Sequence, residues 1–133
     1  MGERKLISNA LQYFYYPNRP SLVINAILSG LHTRENNLVI RATFDFLISH
    51  VQIDSDFIED EERVRLVEGS LLTLMMRDFA SHRKFFSWFL AHLDELEGNV
   101  PATDPAVVSC IEAYKRILKR YENEQLSGKQ NND

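Results

Sequence analysis

Apolar residues recur at spacings of three and four along most of the chain, whereas the alternation typical of a β-strand is almost absent. Spacing of this kind places apolar side chains on one face of an α-helix. The pattern predicts an all-α protein with about six helices. They cover about residues 3–16, 22–31, 35–50, 60–77, 82–96 and 105–125.

The first predicted helix runs from Glu3 to Tyr16, and Pro17 ends it because a residue before proline disfavours helical geometry. Its apolar residues recur with helical spacing, so they fall on one face. They are Leu6, Ile7, Ala10, Leu11 and Phe14. This helix is therefore amphipathic and needs a neighbour to cover it.

The third and fifth predicted helices carry apolar side chains around most of their circumference, including Phe44 in the third and Trp88 in the fifth. So wide an apolar arc implies neighbours on two sides. This feature favours a stack of three antiparallel helical hairpins of the HEAT or armadillo kind. An up-and-down helical bundle is the alternative. Within the fifth helix, most of the FFSWF segment is predicted to be core.

The sixth predicted helix divides into an apolar stripe and a basic face. The stripe consists of Val107, Cys110, Ile111, Tyr114, Ile117, Leu118 and Tyr121. The basic face consists of Lys115, Arg116, Lys119 and Arg120. This face is the best local candidate for an anionic partner such as a phosphoinositide headgroup, although a solvated outer face is the preferred interpretation.

Length and composition describe one ordinary globular domain, predicted to span residues 1–125 and to be followed by a disordered tail at 126–133. No apolar run is long enough to cross a bilayer, and no signal-like segment is found near the N-terminus. The single cysteine, Cys110, fits a reducing compartment, so we expect a cytoplasmic protein. A net charge of -4 argues against nucleic acid as a partner.

A cluster of charged residues lies at the predicted turn between the fourth and fifth helices. Asp78 and His82 are four residues apart, which could orient an acid toward an imidazole for base catalysis. The preferred interpretation is structural. It assigns Arg77 and Asp78 to the end of the fourth helix and makes Ser81 the cap of the fifth, which begins at His82.

Arg41 and Asp45 lie four residues apart in an otherwise apolar helix, which predicts an ion pair or a hydrogen-bonded anchor that fixes packing. Trp88 is predicted to be a core residue. The four histidines lack zinc-site spacing, and the glycines form no phosphate-binding pattern. The sequence therefore predicts no metal, no nucleotide cofactor and no enzymatic activity.

Two segments resemble the Dopey family, whose members are large helical-repeat scaffolds. The first, RATFDFLISH, matches an RxTLDxL-type motif through Arg41, Thr43, Asp45 and Leu47. The second matches an RRDMSLNRRLxxWLLG-like corner through Arg77, Asp78, Ser81, Arg83, Trp88 and Leu90. The resemblance covers about residues 22–92, with Met76 and the run from His82 to Lys84 departing from the family pattern.

The resemblance implies an adaptor without catalytic residues that acts in traffic between endosomes and the Golgi. Its expected partner is a protein, namely a large Golgi scaffold related to Arf exchange factors, and its expected location is cytoplasmic and peripheral on Golgi or endosomal membrane. Members of the family are also linked to phosphoinositides, kinesin recruitment and lipid-flippase function. None of these links is assigned to a residue of this chain.

Overall fold

The computed structural model describes residues 20–33 and 36–131, and these residues form five helices and no strand. The helices are α1 (Pro20–Leu31), α2 (Asn37–His50), α3 (Asp60–Thr73), α4 (Phe79–Glu95) and α5 (Pro105–Asn131). The all-α prediction is confirmed. The first predicted helix, residues 3–16, lies outside the described residues.

Polar side chains satisfy free backbone groups where three of the helices begin. The Asn36 Oδ1 atom accepts a hydrogen bond from the first turn of α2, and Asp104 does the same for α5. At the start of α3, the Glu59 N–H donates to Glu62 Oε1. Three acidic residues in the first turn of α3 add a favourable interaction with the positive end of the helix dipole.

The helices lie in two rows. The first row contains α1, α3 and α5, with α3 packed between the other two, and the second row contains α2 and α4 side by side. Contacts between the rows join α1 to α2, α3 to α4 and α4 to α5. This alternation of consecutive helices between two rows fits the predicted helical stack.

The core lies between the two rows and is built mainly from the facing sides of α1 to α4. Its fully buried members include Ile24, Phe44, Leu47, Leu66, Val67 and Phe85. Trp88 is 3% exposed, and its Nε1–H donates to the Val51 carbonyl at 2.6 Å. The apolar arc of α4 is covered less widely than the sequence predicts, because Phe86 and Leu90 remain exposed.

The orientation of α5 differs from the prediction. Small side chains, Ala106, Ser109 and Ala113, form its buried face, and they allow the helix backbone to approach its neighbours closely. Much of the predicted apolar stripe therefore lies on the open side of α5. Ile111, Tyr114, Leu118 and Tyr121 are 43% to 58% exposed.

The last helix also continues past residue 125, where the sequence predicts a disordered tail. Residues 126–131 extend α5, and side chains 121–128 are all exposed. Glutamate, glutamine and leucine are good helix formers, and extending an existing helix needs no new nucleation. Local propensity is therefore sufficient to extend the helix without burial.

Two glycines permit close contacts between helices. A Cβ atom at Gly30 of α1 would overlap the Thr43 hydroxyl of α2. That hydroxyl is held in place because it donates to the Val39 carbonyl at 2.7 Å. A Cβ atom at Gly69 of α3 would come within 3.3 Å of Leu28 on α1. Glycine is therefore required most strictly where α1 crosses α2.

We expect Gly30→Ala to lower the free energy of unfolding by about 1–3 kcal/mol, since the added methyl group must displace Thr43. The control is Gly128→Ala, because nothing lies within 4 Å of that position and alanine favours a helix. Chemical denaturation measures both variants. Equal stability of the two variants would contradict the close crossing.

Candidate functional site

The corner between α3 and α4 is built around Asp78, whose two carboxylate oxygens both accept hydrogen bonds. Arg41 of α2 donates from Nε to Asp78 Oδ2 at 2.9 Å and from Nη2 to Oδ1 at 2.6 Å. The Ser81 hydroxyl donates to Oδ2 at 2.5 Å. The Asp78 side chain is 7% exposed and the Arg41 side chain is 37% exposed, so the carboxylate is buried and the guanidinium partly reaches water.

Asp78 directly precedes Phe79, the first residue of α4, and is the N-cap of the helix. The sequence-based assignment of Ser81 as cap and His82 as first residue is therefore wrong. The Asp78 carboxylate makes no capping hydrogen bond to the backbone of α4, but its negative charge is favourable at the helix N-terminus. Ser81 instead lies within the first turn of α4 and faces back toward Asp78.

The electrostatics of the corner favour the charged form of Asp78. The hydrogen bonds from Arg41, and next from Ser81, hold the pKa of the Asp78 carboxyl well below its usual range despite its burial. The same bond to Asp78 raises the pKa of Arg41. The carboxylate therefore acts as a fixed anion that joins α2 to α4.

His82 does not face Asp78. Its Nε2–H donates to the Met76 carbonyl at 2.7 Å, and its ring meets the edge of Phe79. Arg77, which the sequence also places at this corner, is exposed. Asp78 and His82 are thus held by different partners, and the acid–base pair considered from their spacing is not formed.

Arg41 and Asp45 do not pair with each other, so of the two predicted alternatives the mutual ion pair is wrong, and each residue is instead a hydrogen-bonded anchor to another helix. Asp45 instead accepts a hydrogen bond from Lys84 Nζ on α4 at 2.5 Å. Arg41 binds Asp78, which precedes the same helix. An arginine four residues before an aspartate has the less favourable order for a pair within one helix. Both side chains reach α4, and two cross-helix links result.

Arg63 is an organising residue that the sequence pattern does not reveal. It is 5% exposed and donates to the carbonyls of Ile53, Ser55 and Ile58 at 2.7 to 3.1 Å and to the Asp60 carboxylate at 2.7 Å. These bonds fix the loop between α2 and α3. The three-residue spacing of Asp60 and Arg63 could have indicated their ion pair. Hydrogen bonds to backbone carbonyls cannot be recognised in a sequence, because every residue has a carbonyl.

His92 forms a second unpredicted link, at the far end of α4. Its Nε2–H donates to Asp104 Oδ2 at 2.7 Å, and its Nδ1 atom lies 3.3 Å from Asp54 Oδ2. Burial alone would raise the pKa of Asp104, but hydrogen bonds from His92 and from the Ala106 backbone lower it overall. His92 thus connects α4 to the start of α5. In the described ranges, no group of histidine, cysteine and acidic side chains has the arrangement of a metal site.

The predicted basic face of α5 is divided by ion pairs with α3. Arg116 binds both carboxylate oxygens of Glu61, at 2.7 and 2.8 Å, and Arg120 pairs with Glu68. These contacts direct the two arginines toward the protein rather than toward an external anion. Lys115 and Lys119 are exposed and form no ion pair within the part of the chain that the structure describes.

The described residues include two exposed apolar surfaces. The first is the end face, formed by Ile111, Tyr114, Leu118 and Tyr121 of α5. The second is a trough of about 590 Å³ between α1 and α2, lined by Leu22, Val23 and Ile27 on one side and by Val39, Ala42 and Phe46 on the other. Surfaces of this kind on a small domain are typical of sites that pack against another polypeptide.

The remaining candidate features carry little chemistry. Cys110 is partly buried, and this burial raises the pKa of its thiol, so the unreactive protonated form is favoured. Among the described helices, none combines the length and the apolar character that a membrane span requires.

Comparison with known proteins points to one family. A family model described as "Dopey, N-terminal" matches residues 3–94. Proteins named "Protein DOP1 homolog" from Drosophila melanogaster and from Drosophila pseudoobscura pseudoobscura are each 33% identical to this chain over 67 residues. That match covers 50% of this chain but only 2% of each relative. No solved structure matches.

The Asp78 network predicts a specific dependence of stability on pH. Because the folded-state pKa of Asp78 is depressed, its contribution is complete above the unfolded pKa of about 3.9 and is lost as the pH falls toward the folded value. We therefore expect Asp78→Asn to be less stable than the wild type at pH 7, with the difference shrinking below about pH 4.

Urea denaturation across this pH range measures the effect. Asp94→Asn is the matched control, because Asp94 is an exposed residue of the same helix and forms no ion pair in the described structure. It should follow the wild-type curve. A constant difference between wild type and Asp78→Asn at every pH would show that the carboxylate charge has no special role.

Proposed function

The chain belongs to the Dopey family, and from this premise we propose that it is a non-catalytic helical adaptor in traffic between endosomes and the Golgi. Membership of this family suggests a non-enzymatic role in membrane traffic. At the α3–α4 corner, Asp78 is bound by Arg41 of α2, so these charged side chains connect helices. Charged groups that hold helices together are expected in a module that binds partners through its surface. Function would then reside in surfaces rather than in a reactive pocket.

The end face of α5 is the observation that carries this proposal. Its four large apolar side chains are spaced three, four and three residues apart, which is the spacing of a seam between two helices. They are 43% to 58% exposed and lie in a row on α5. A continuous apolar row on one side of a helix suits binding of another amphipathic helix.

Charged residues beside the end face can add specificity. Glu112, Lys115, Lys119 and Glu122 each directly follow a residue of the end face, so two charges of each sign border the apolar row. A partner helix with acidic and basic residues at matching positions would pair with both, and a helix with the opposite order would be repelled. The chemistry fits a protein partner with alternating charges.

Anionic lipid is less well supported as the main ligand. Arg116 and Arg120, half of the predicted basic face, are engaged by Glu61 and Glu68 of α3. The two remaining lysines, Lys115 and Lys119, supply little charge for a membrane surface, where each basic residue contributes about 1 kcal/mol. We therefore assign the main role to protein binding.

The partner class proposed is a large Golgi scaffold protein, and the proposed location is cytoplasmic, on the periphery of Golgi or endosomal membrane. The basis for both is family membership alone. The chain spans about 2% of the length of the curated relatives it matches.

Affinity capture on Golgi-enriched extract tests the proposal. Leu118→Asp places a charge in the centre of the end face, and we expect it to reduce recovery of a Golgi scaffold protein by about tenfold or more, since a carboxylate cannot enter an apolar interface unpaired. Leu126→Asp makes the same substitution at an exposed leucine of α5 outside the end face and should retain binding.

Both variants should show the wild-type helical content and unfolding midpoint, because neither position is buried. Equal recovery of Golgi scaffold proteins by Leu118→Asp and by the wild type would rule out the end face as the binding surface. Absence of such proteins from all three samples would count against the proposed partner class.

A further inference from the structure

The side of α4 that points away from α2 is an apolar surface that the proposed function does not use. Lys84 of this helix binds Asp45 of α2, and Trp88 donates to the carbonyl of the residue that ends α2. Phe86 is two residues from Lys84 and two from Trp88, and two residues turn a helix by about 200°. Phe86 therefore lies on the side of α4 opposite α2, and it is 46% exposed.

Two more apolar side chains share this side of α4. Phe79 lies seven residues before Phe86, and Leu90 lies four residues after it, so all three fall on one face of the helix. Phe79 is 78% exposed and Leu90 is 40% exposed. These three residues form the α4 flank, which extends over about 16 Å along the helix.

The end face of α5 points in a matching direction within the first row. Arg116 and Arg120 of α5 reach toward α3, where each pairs with a glutamate. Leu118 is two residues from each of these arginines, so it lies on the side of α5 opposite α3. In both rows, an apolar face thus lies on the side of the helix that is turned away from its neighbour in the row.

The α4 flank and the end face point the same way along the two rows. Between the rows, α2 meets α1, whereas α4 meets α3 and α5, so both rows progress in one direction. Within each row the helices pack side against side, α3 against α5 and α2 against α4. The α4 flank and the end face are therefore the sides on which a further helix would continue each row.

We propose that the partner of the end face supplies a helical hairpin, with one helix on the α4 flank and the other on the end face. This inference rests on the proposed function and specifies the kind of partner that binds there. A single helix on the end face covers only the first row, whereas two antiparallel helices continue both rows. The lengths agree, because the end face from Ile111 to Tyr121 extends over about 15 Å, close to the length of the α4 flank.

Charged residues beside the α4 flank specify the helix that it receives. Arg83 and Asp94 are exposed, border the flank and form no ion pair within the described ranges. They have opposite charges and lie about 16 Å apart along the helix. A partner helix with an acidic residue near Arg83 and a basic residue near Asp94 pairs with both. The rest of its contact side is apolar, because the α4 flank offers no polar side chain.

Photo-cross-linking in a Golgi-enriched extract tests the proposal. Phe86 and Tyr114, both exposed, are replaced one at a time by p-benzoylphenylalanine, which keeps an aromatic ring at each position. We expect both variants to cross-link to the same Golgi scaffold protein, with the two adducts in neighbouring helices joined by a short turn. The same replacement at Leu126, an exposed residue outside both faces, is the control and should give no such adduct.

Affinity capture measures how much the α4 flank contributes to binding. Leu90→Asp should lower recovery of the scaffold protein by about tenfold or more, as expected for Leu118→Asp, because a carboxylate cannot enter an apolar contact unpaired. Leu126→Asp is the matched control and should bind like the wild type. The cross-linking variants keep an aromatic ring, so they decide the question even where Leu90→Asp folds poorly.

The outcomes separate this inference from the proposed function. Loss of recovery with Leu118→Asp but not with Leu90→Asp would overturn the hairpin and leave the end face as the binding surface. Adducts from positions 86 and 114 that fall in one helix or in two different proteins, or no adduct from position 86, would also overturn it. If the wild type recovers no Golgi scaffold protein, the proposed partner class fails and the hairpin fails with it.

Discussion

The ion pair between Arg41 and Asp78 is the contact on which the arrangement of the second row depends. It joins the second turn of α2 to the N-cap of α4 through two short hydrogen bonds, and Ser81 adds a third bond to the same carboxylate. A buried carboxylate without such partners would carry a large desolvation penalty. The corner is therefore stable in one geometry, the geometry in which α2 and α4 lie side by side.

Two further links extend this arrangement along the molecule. Arg63 holds the loop that leads from α2 to α3, and His92 connects the end of α4 to the beginning of α5. Each link uses a polar side chain that could be mistaken for a reactive group when only the sequence is considered. Among the described residues, the end face and the trough are apolar surfaces that these links leave exposed.

The sequence predicted the helices well because apolar periodicity is a local property, and the burial of Phe44 and Trp88 followed from it. Partners of polar residues were harder to predict, since the pairing of Arg41 with Asp78 spans 37 positions and leaves no local trace. The orientation of α5 was misjudged for a related reason. Its widest apolar stripe suggested the buried face, whereas close packing selected small residues such as Ala106 and Ala113.

A double-mutant cycle on Arg41 and Asp78 tests the central claim most directly. The free energy of unfolding is measured at pH 7 for Arg41→Ala, for Asp78→Ala and for the double variant. Once one partner is removed the other is left unpaired, so the account predicts that the double variant loses clearly less stability than the sum of the single variants. Losses that simply add would show that the two side chains act independently and that their contact does not hold α2 against α4.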